Sequence, residues 1–191
     1  MALLSAQTLV AMGFATVGRN VRVSDRASFH GVSGIRLGDD VRIDDFCVLS
    51  AGAGGIHIGS HVHVAVYSCM IGAGRITLGD FANISSRVSI YSSSDDYSGA
   101  SMTNPTIPDA YKNVDHAEVR IGRHVVIGSG TVVLPGAVLE DGVAVGALSM
   151  VRDHCAEFGI YAGVPARRVR ERSRELLEVE QRFLRAKAMG K

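Results

Sequence analysis

Two adjacent carboxylates, Asp95 and Asp96, open an irregular stretch, SSDDYSGASMTNPTIPDAYKNVDHAE from Ser93 to Glu118, and a histidine, His116, stands near its close. A histidine titrates at about 6.5 and takes a proton near neutrality, whereas an aspartate near ~3.9 is a weaker base unless its surroundings raise it. Paired carboxylates suit a cationic or hydrogen-bond-donating amine better than an alcohol. A neutral amine also needs less activation as a nucleophile. The competing reading is that Asp95 and Asp96 only turn the loop or cap local structure. His61 and His63 flank an inward Val62 and so point outward, a second place for a proton-handling or interface histidine. His30, His57, His124 and His154 have no supporting neighbours in sequence and read as structural.

The stretch from 93 to 118 matters because everything around it is regular. VGRNVR from Val17, LGDDVR from Leu37, IGSHVH from Ile58, LGDFAN from Leu78, IGRHVV from Ile121 and IGSGTV from Ile127 share one form. Written in sixes, one column runs Val17, Val23, Leu37, Ile43, Ile58, Val64, Leu78, Ile84, Ile121, Ile127, Val133, Leu139 and Val145. Four places on, the column reads Val21, Ala27, Val41, Cys47, Val62, Ser68, Ala82, Val88, Val125, Thr131, Ala137, Val143 and Ser149. One branched and one small inward residue per six fit a narrow prism of short parallel strands, a parallel β-helix. Glycines or small polar residues are expected at its corners. Short insertions after Ser28, Ala51 and Ile71 lengthen one corner per coil. A β-sandwich would show period-two alternation and hairpin turns instead.

Composition agrees with the prism. The 191 residues carry 22 glycines, 47% hydrophobic residues, 6% aromatics and no tryptophan, which excludes disorder and a core built on large rings. The formal charge of +1 supplies no general attraction to nucleic acid or to an anionic membrane. Cys47, Cys69 and Cys155 match no zinc spacing and cannot all pair, which points to a reducing cytoplasm. Residues 1–14 lack the basic flank of a signal peptide, are too short to span a bilayer, and are expected to form a cap helix. The expected organisation is one domain, 1–191: cap helix 1–14, β-helix 15–166 with its loop at 93–118, and an amphipathic helix 167–188.

The hexapeptide rhythm, with GIYAGVPARRVR from Gly159 as a closing motif, resembles the left-handed β-helix acyltransferases that use acetyl-CoA. The nearest resemblance is to sugar acetyltransferases of the maltose and galactoside type and of bacterial surface-polysaccharide biosynthesis. The family's usual motif carries Asn where Val164 stands. The resemblance implies a left-handed helix, a homotrimer with its sites between subunits, and a metal-free reaction. It also implies that the 93–118 loop helps build the acceptor pocket; the competing reading is a loop that merely packs the trimer. Asp95 falls where the family's sugar O-acetyltransferases carry a catalytic histidine, which tilts the expected acceptor toward an amino group on a sugar or nucleotide-linked sugar. Sugar O-acetylation is the alternative. The catalytic candidates are Asp95, Asp96, His116 and His63. The coenzyme A candidates are Gly128, Ser129, Gly146 and Ala147 along the later coils, with Arg167 and Arg168 near the nucleotide phosphates. Those arginines, with Arg170, could instead simply begin the solvated terminal helix. A further alternative is a carbonic-anhydrase-like β-helix protein, with His61 and His63 supplying part of a metal site.

Overall fold

The computed structural model describes residues 2–190; Met1 of the expected cap segment and Lys191 of the expected domain lie outside them. The chain winds as a left-handed parallel β-helix with three flat faces. The first face stacks seven strands, from Thr16–Val17 to His154–Cys155. The second stacks eight, from Arg22–Val23 through Gly159–Ala162 to Arg167–Glu171, and the third stacks six, from Ser28–His30 to Met150–Val151. Successive coils pair in parallel and in register, as in Ile35↔Ile56, Ile56↔Ile76 and Ile76↔Val119.

The two columns read from the sequence form the core. The branched column is buried from Val23 to Val145 and the small column from Val41 to Ser149. Each buried Val, Leu or Ile contributes roughly 1.5–3 kcal/mol. Hydroxyls in the small column are satisfied by backbone: Ser68 Oγ donates to the Ser85 carbonyl at 2.9 Å and Ser149 Oγ to the Gly146 carbonyl at 2.7 Å. Val17, Val21 and Ala27 are only partly covered because they line the open first coil. Helix α1, Ala6–Ala11, caps that end by burying Leu9, and Ser5 Oγ accepts from the Thr8 N–H. The helix is shorter than the expected 1–14. Gly13, at φ +83°, ends it, and Leu4 N–H is drawn to the Val23 carbonyl at the unpaired edge of the first coil.

The corners differ from expectation in an informative way. Gly18, Gly38, Gly59, Gly79 and Gly122 follow the branched column, and their role is close approach. A Cβ on Gly38 would sit 2.7 Å from the carbonyl carbon of Gly59 in the next coil. The left-handed backbone positions hold the expected small or polar residues in some coils, Asn20, Asp40, Gly130 and Gly142, but large residues in others: His61 (φ 58°), Phe81 (61°) and His124 (57°) on one corner, Phe46 (60°), Tyr67 (63°) and Arg87 (58°) on another. Such a conformation costs an ordinary residue about 1–2 kcal/mol. Stacking offsets much of that, at about 0.5–1.5 kcal/mol per aromatic pair. His61 lies on Phe81 at 4.9 Å and Phe81 on His124 at 4.9 Å, while Phe46 stacks on Tyr67 at 5.0 Å.

The C-terminal segment corrects the expected 167–188 helix. Arg167–Glu171 is a strand, antiparallel to Gly159–Ala162, and only Leu176–Ala188 is helical (α2). The last coil leaves one edge of backbone groups unpaired, and the strand covers it. Helix α2 then runs along the His61–Phe81–His124 corner with no residue fully buried. Glu180 grips Arg123 and His124 (Nε2 at 2.7 Å), Phe183 sets its ring edge-on to His61 and Phe81, and Lys187 reaches Asp40 at 2.7 Å.

Candidate functional site

The long break leaves the prism at the corner between the third and first faces, the corner that the insertions already lengthen in earlier coils. Its base is an antiparallel ribbon of Ser93–Asp95 with Val114–His116, in the register Ser93↔His116 and Asp95↔Val114. Ser92, fully buried, anchors it through Oγ to the Gly74 carbonyl at 2.8 Å. The tip stands out from the prism: Tyr97 is 93% exposed and Tyr111 63%.

The ribbon separates the candidates. Side chains alternate along a strand, so Ser93, Asp95, Val114 and His116 share one side, with Asp95 and His116 diagonal neighbours roughly 7–8 Å apart. His116 Nδ1 meets Ser93 Oγ at 2.7 Å, and that oxygen also accepts from the Ala73 N–H at 2.8 Å. With the serine hydrogen on the first bond, His116 carries its own ring hydrogen on Nε2, which faces away from Ser93. Asp95 is exposed, and among the described residues its carboxylate has no hydrogen-bond or ion-pair partner. Asp96 is committed elsewhere: Oδ1 accepts from the Ser98 N–H at 2.8 Å and Oδ2 from Ser101 Oγ at 2.9 Å. Those bonds hold its carboxyl below the usual carboxylate range, so it braces the loop as an anion.

The other candidates lie across the third face. His63 projects from the second face between Asp44 Oδ2 at 2.8 Å and Asn83 Oδ1 at 3.2 Å, on no element shared with Asp95. Burial works to raise the Asp44 carboxyl, but hydrogen bonds from His63 and Arg42 outweigh it and hold it low. His61 is engaged separately, by Phe81, Asp40 and Lys187. Gly128, Ser129, Gly146 and Ala147 fall at the corner between the second and third faces, which carries Ser85 in an earlier coil and Phe46 and Tyr67 before that. Ser129 and Ala147 are exposed there. Gly128 has a packing reason to be glycine, since a Cβ would meet Ala147 N at 2.4 Å. Arg167 and Arg168 are exposed on the closing strand, Arg167 3.7 Å from Asp153 and Arg168 paired with Glu171.

No protein-family model matches the chain. The dTDP-4-amino-4,6-dideoxy-D-glucose acyltransferase of Escherichia coli is 53% identical over 183 residues, covering 96% of this chain and 95% of the relative. The chain belongs to the hexapeptide-repeat sugar acyltransferases. The putative lipopolysaccharide biosynthesis O-acetyl transferase WbbJ of Escherichia coli K12, another such acyltransferase, is 32% identical over 72% of this chain and 69% of its own. A serine-to-alanine variant of AntD, an N-acyltransferase from Bacillus cereus, solved with dTDP-4-amino-4,6-dideoxyglucose and coenzyme A, superposes with a TM-score of 0.92 at 42% identity, covering 97% of this chain and 98% of that one. AntD was also solved in variants altered at an aspartate ten positions after that serine. Acyl transfer from a coenzyme A thioester is thus the chemistry of this hexapeptide-repeat acyltransferase. No described helix is long and apolar enough to cross a membrane.

Proposed function

We propose that the chain transfers an acyl group from coenzyme A to the amino group of a nucleotide-linked amino sugar, a dTDP-4-amino-4,6-dideoxy sugar being the acceptor to try first. The observation that carries this reading is the relative that is 53% identical along nearly the whole chain and is named for that acceptor. Of the two adjacent carboxylates, Asp95 is the one whose side chain has no partner among the described residues, and Ser85 stands ten residues before it, the spacing of the serine and aspartate altered in AntD. Ser85 keeps to the six-residue rhythm, so no break in the sequence pattern marks it. In this reading Asp95 accepts a hydrogen bond from the acceptor N–H and directs the nitrogen lone pair at the thioester carbonyl. The C–N bond forms, the C–S bond breaks, and the proton that nitrogen loses balances the departing thiolate. His116 relays a proton or positions the sugar, Gly128, Ser129, Gly146 and Ala147 flank the pantetheine, and Arg167 and Arg168 face its phosphates.

Ser85 and Asp95 lie on opposite sides of the third face, and the loop reaches outward. A site that uses both takes one from each of two chains, and a homotrimer with three such clefts satisfies this. A cytoplasmic setting fits the three free cysteines; burial pushes the thiols of Cys47 and Cys155 up to about 11, which keeps them protonated. Thiol release from acyl-CoA should depend on the nucleotide-linked amino sugar. Turnover with neutral sugars alone would overturn amine acylation, and an undiminished Asp95→Ala variant would remove Asp95 from the site.

A further inference from the structure

On the second face, Arg22, Arg42, His63 and Asn83 are direct register partners on four successive coils. Rungs are ~4.8 Å apart, so the column spans ~14 Å and ends two residues short of Ser85. Like charges placed directly opposite on neighbouring strands cost stability. Here Arg42 is compensated by Asp44 at 2.7 Å, but Arg22 has no ion-pair partner among the described residues. Helix α2 closes the side of this column and brings Lys187 to it. Arg22, Arg42, His63 and Lys187 line a cleft of about 520 Å³ whose one lining carboxylate, Asp40, is held by Lys187 at 2.7 Å, while Asn83 lies just beyond its end.

We propose that this cleft holds the diphosphate of the acceptor, with Arg22, Arg42 and Lys187 on its phosphate oxygens and the amino sugar at the Asn83 and Ser85 end. The inference rests on the nucleotide-sugar reading above and adds to it where the nucleotide lies and which way it runs. An unpaired arginine facing another arginine is explained by an anion that belongs between them, and guanidinium groups suit phosphate through paired donors. Coenzyme A also carries a diphosphate. Its candidate contacts, however, lie on the later coils and the closing strand, whereas this cleft lies on the first three coils. The C-terminal helix thereby becomes a wall of the acceptor site.

The test is calorimetric titration of the full chain with thymidine diphosphate and, separately, with coenzyme A, together with KM for each substrate. Arg22→Ala should weaken thymidine diphosphate and raise the acceptor KM roughly tenfold or more while leaving coenzyme A affinity as it was. Lys187→Ala, at the exposed edge of the cleft, should move the same two quantities in the same direction. Wild-type protein that binds thymidine diphosphate alongside an Arg22→Ala variant that binds it equally well would overturn the subsite alone. Loss of coenzyme A affinity in place of nucleotide affinity would overturn it too. Wild-type protein that acylates a free amino sugar and does not bind thymidine diphosphate would overturn the nucleotide reading, and the subsite with it.

Discussion

Replacing Glu180 by Gln should release helix α2 while leaving the prism intact. The helix has 13 residues and buries none of them fully, so its place depends on a few contacts along one corner. A helix of that length is marginal in water by itself, so undocking means unfolding. Glu180 is 11% exposed and takes two charge-assisted bonds, from Arg123 and from His124 Nε2 at 2.7 Å. Bonds to charged groups are worth about 1.5–3 kcal/mol each. Arg123 keeps a second partner, Asp80 at 2.9 Å, and is itself one-third exposed, so the two losses do not add in full. A net loss of about 1.5–3 kcal/mol is expected, and at 1.4 kcal/mol per decade that opens α2 roughly 10- to 150-fold more often. Hydrogen exchange read on peptides from 176–188 measures this directly. The reasoning fails if those amides exchange at the wild-type rate, or if strands such as Val126–Ile127 accelerate equally, since that would make the clamp part of global stability.

Three further outcomes follow from the geometry. Stability should fall on acidification. Burial, with Arg123 and Arg172 nearby, lowers His124 from 6.5, so its contribution is present above about that pH and is lost as pH falls through the lower folded value; denaturant midpoints of wild type and His124→Gln should converge at low pH. Mixing Asp95→Ala chains with Ser85→Ala chains and allowing exchange should rebuild about a quarter of the clefts with both residues intact, and a mixture no more active than its components would place both in one chain. Gly38→Ala should be poorly tolerated, by more than the ~1 kcal/mol that alanine ordinarily gains over glycine in regular structure, because its Cβ would meet the Gly59 backbone at 2.7 Å; an unchanged melting temperature would refute that.

The core was legible because the inward positions recur in sequence: Val23 and Ile43, or Val41 and Val62, answer to the same local geometry in every coil. The loop was legible as the place where the recurrence stops. What the sequence concealed depended on partners distant along the chain. RRVRE reads as the start of a charged helix until Gly159–Ala162 offers it an edge to pair with. His61, Phe81 and His124 look unrelated until the coils stack and bring their rings to 4.9 Å. Asp96 and Asp95 are indistinguishable as letters, and only the folded loop assigns Ser98 and Ser101 to the former.

The chain returns from the loop to the rung directly above the one it left. Ile76 pairs with Val119 and Thr77 with Arg120 as though residues 93–118 did not intervene. The prism continues one rung up whatever is spliced in at that corner, and the thermodynamic cost of a longer or shorter insert is mainly loop closure, which grows slowly with length. The segment is therefore an exchangeable cartridge, able to change in length and sequence while the coils on either side keep their register.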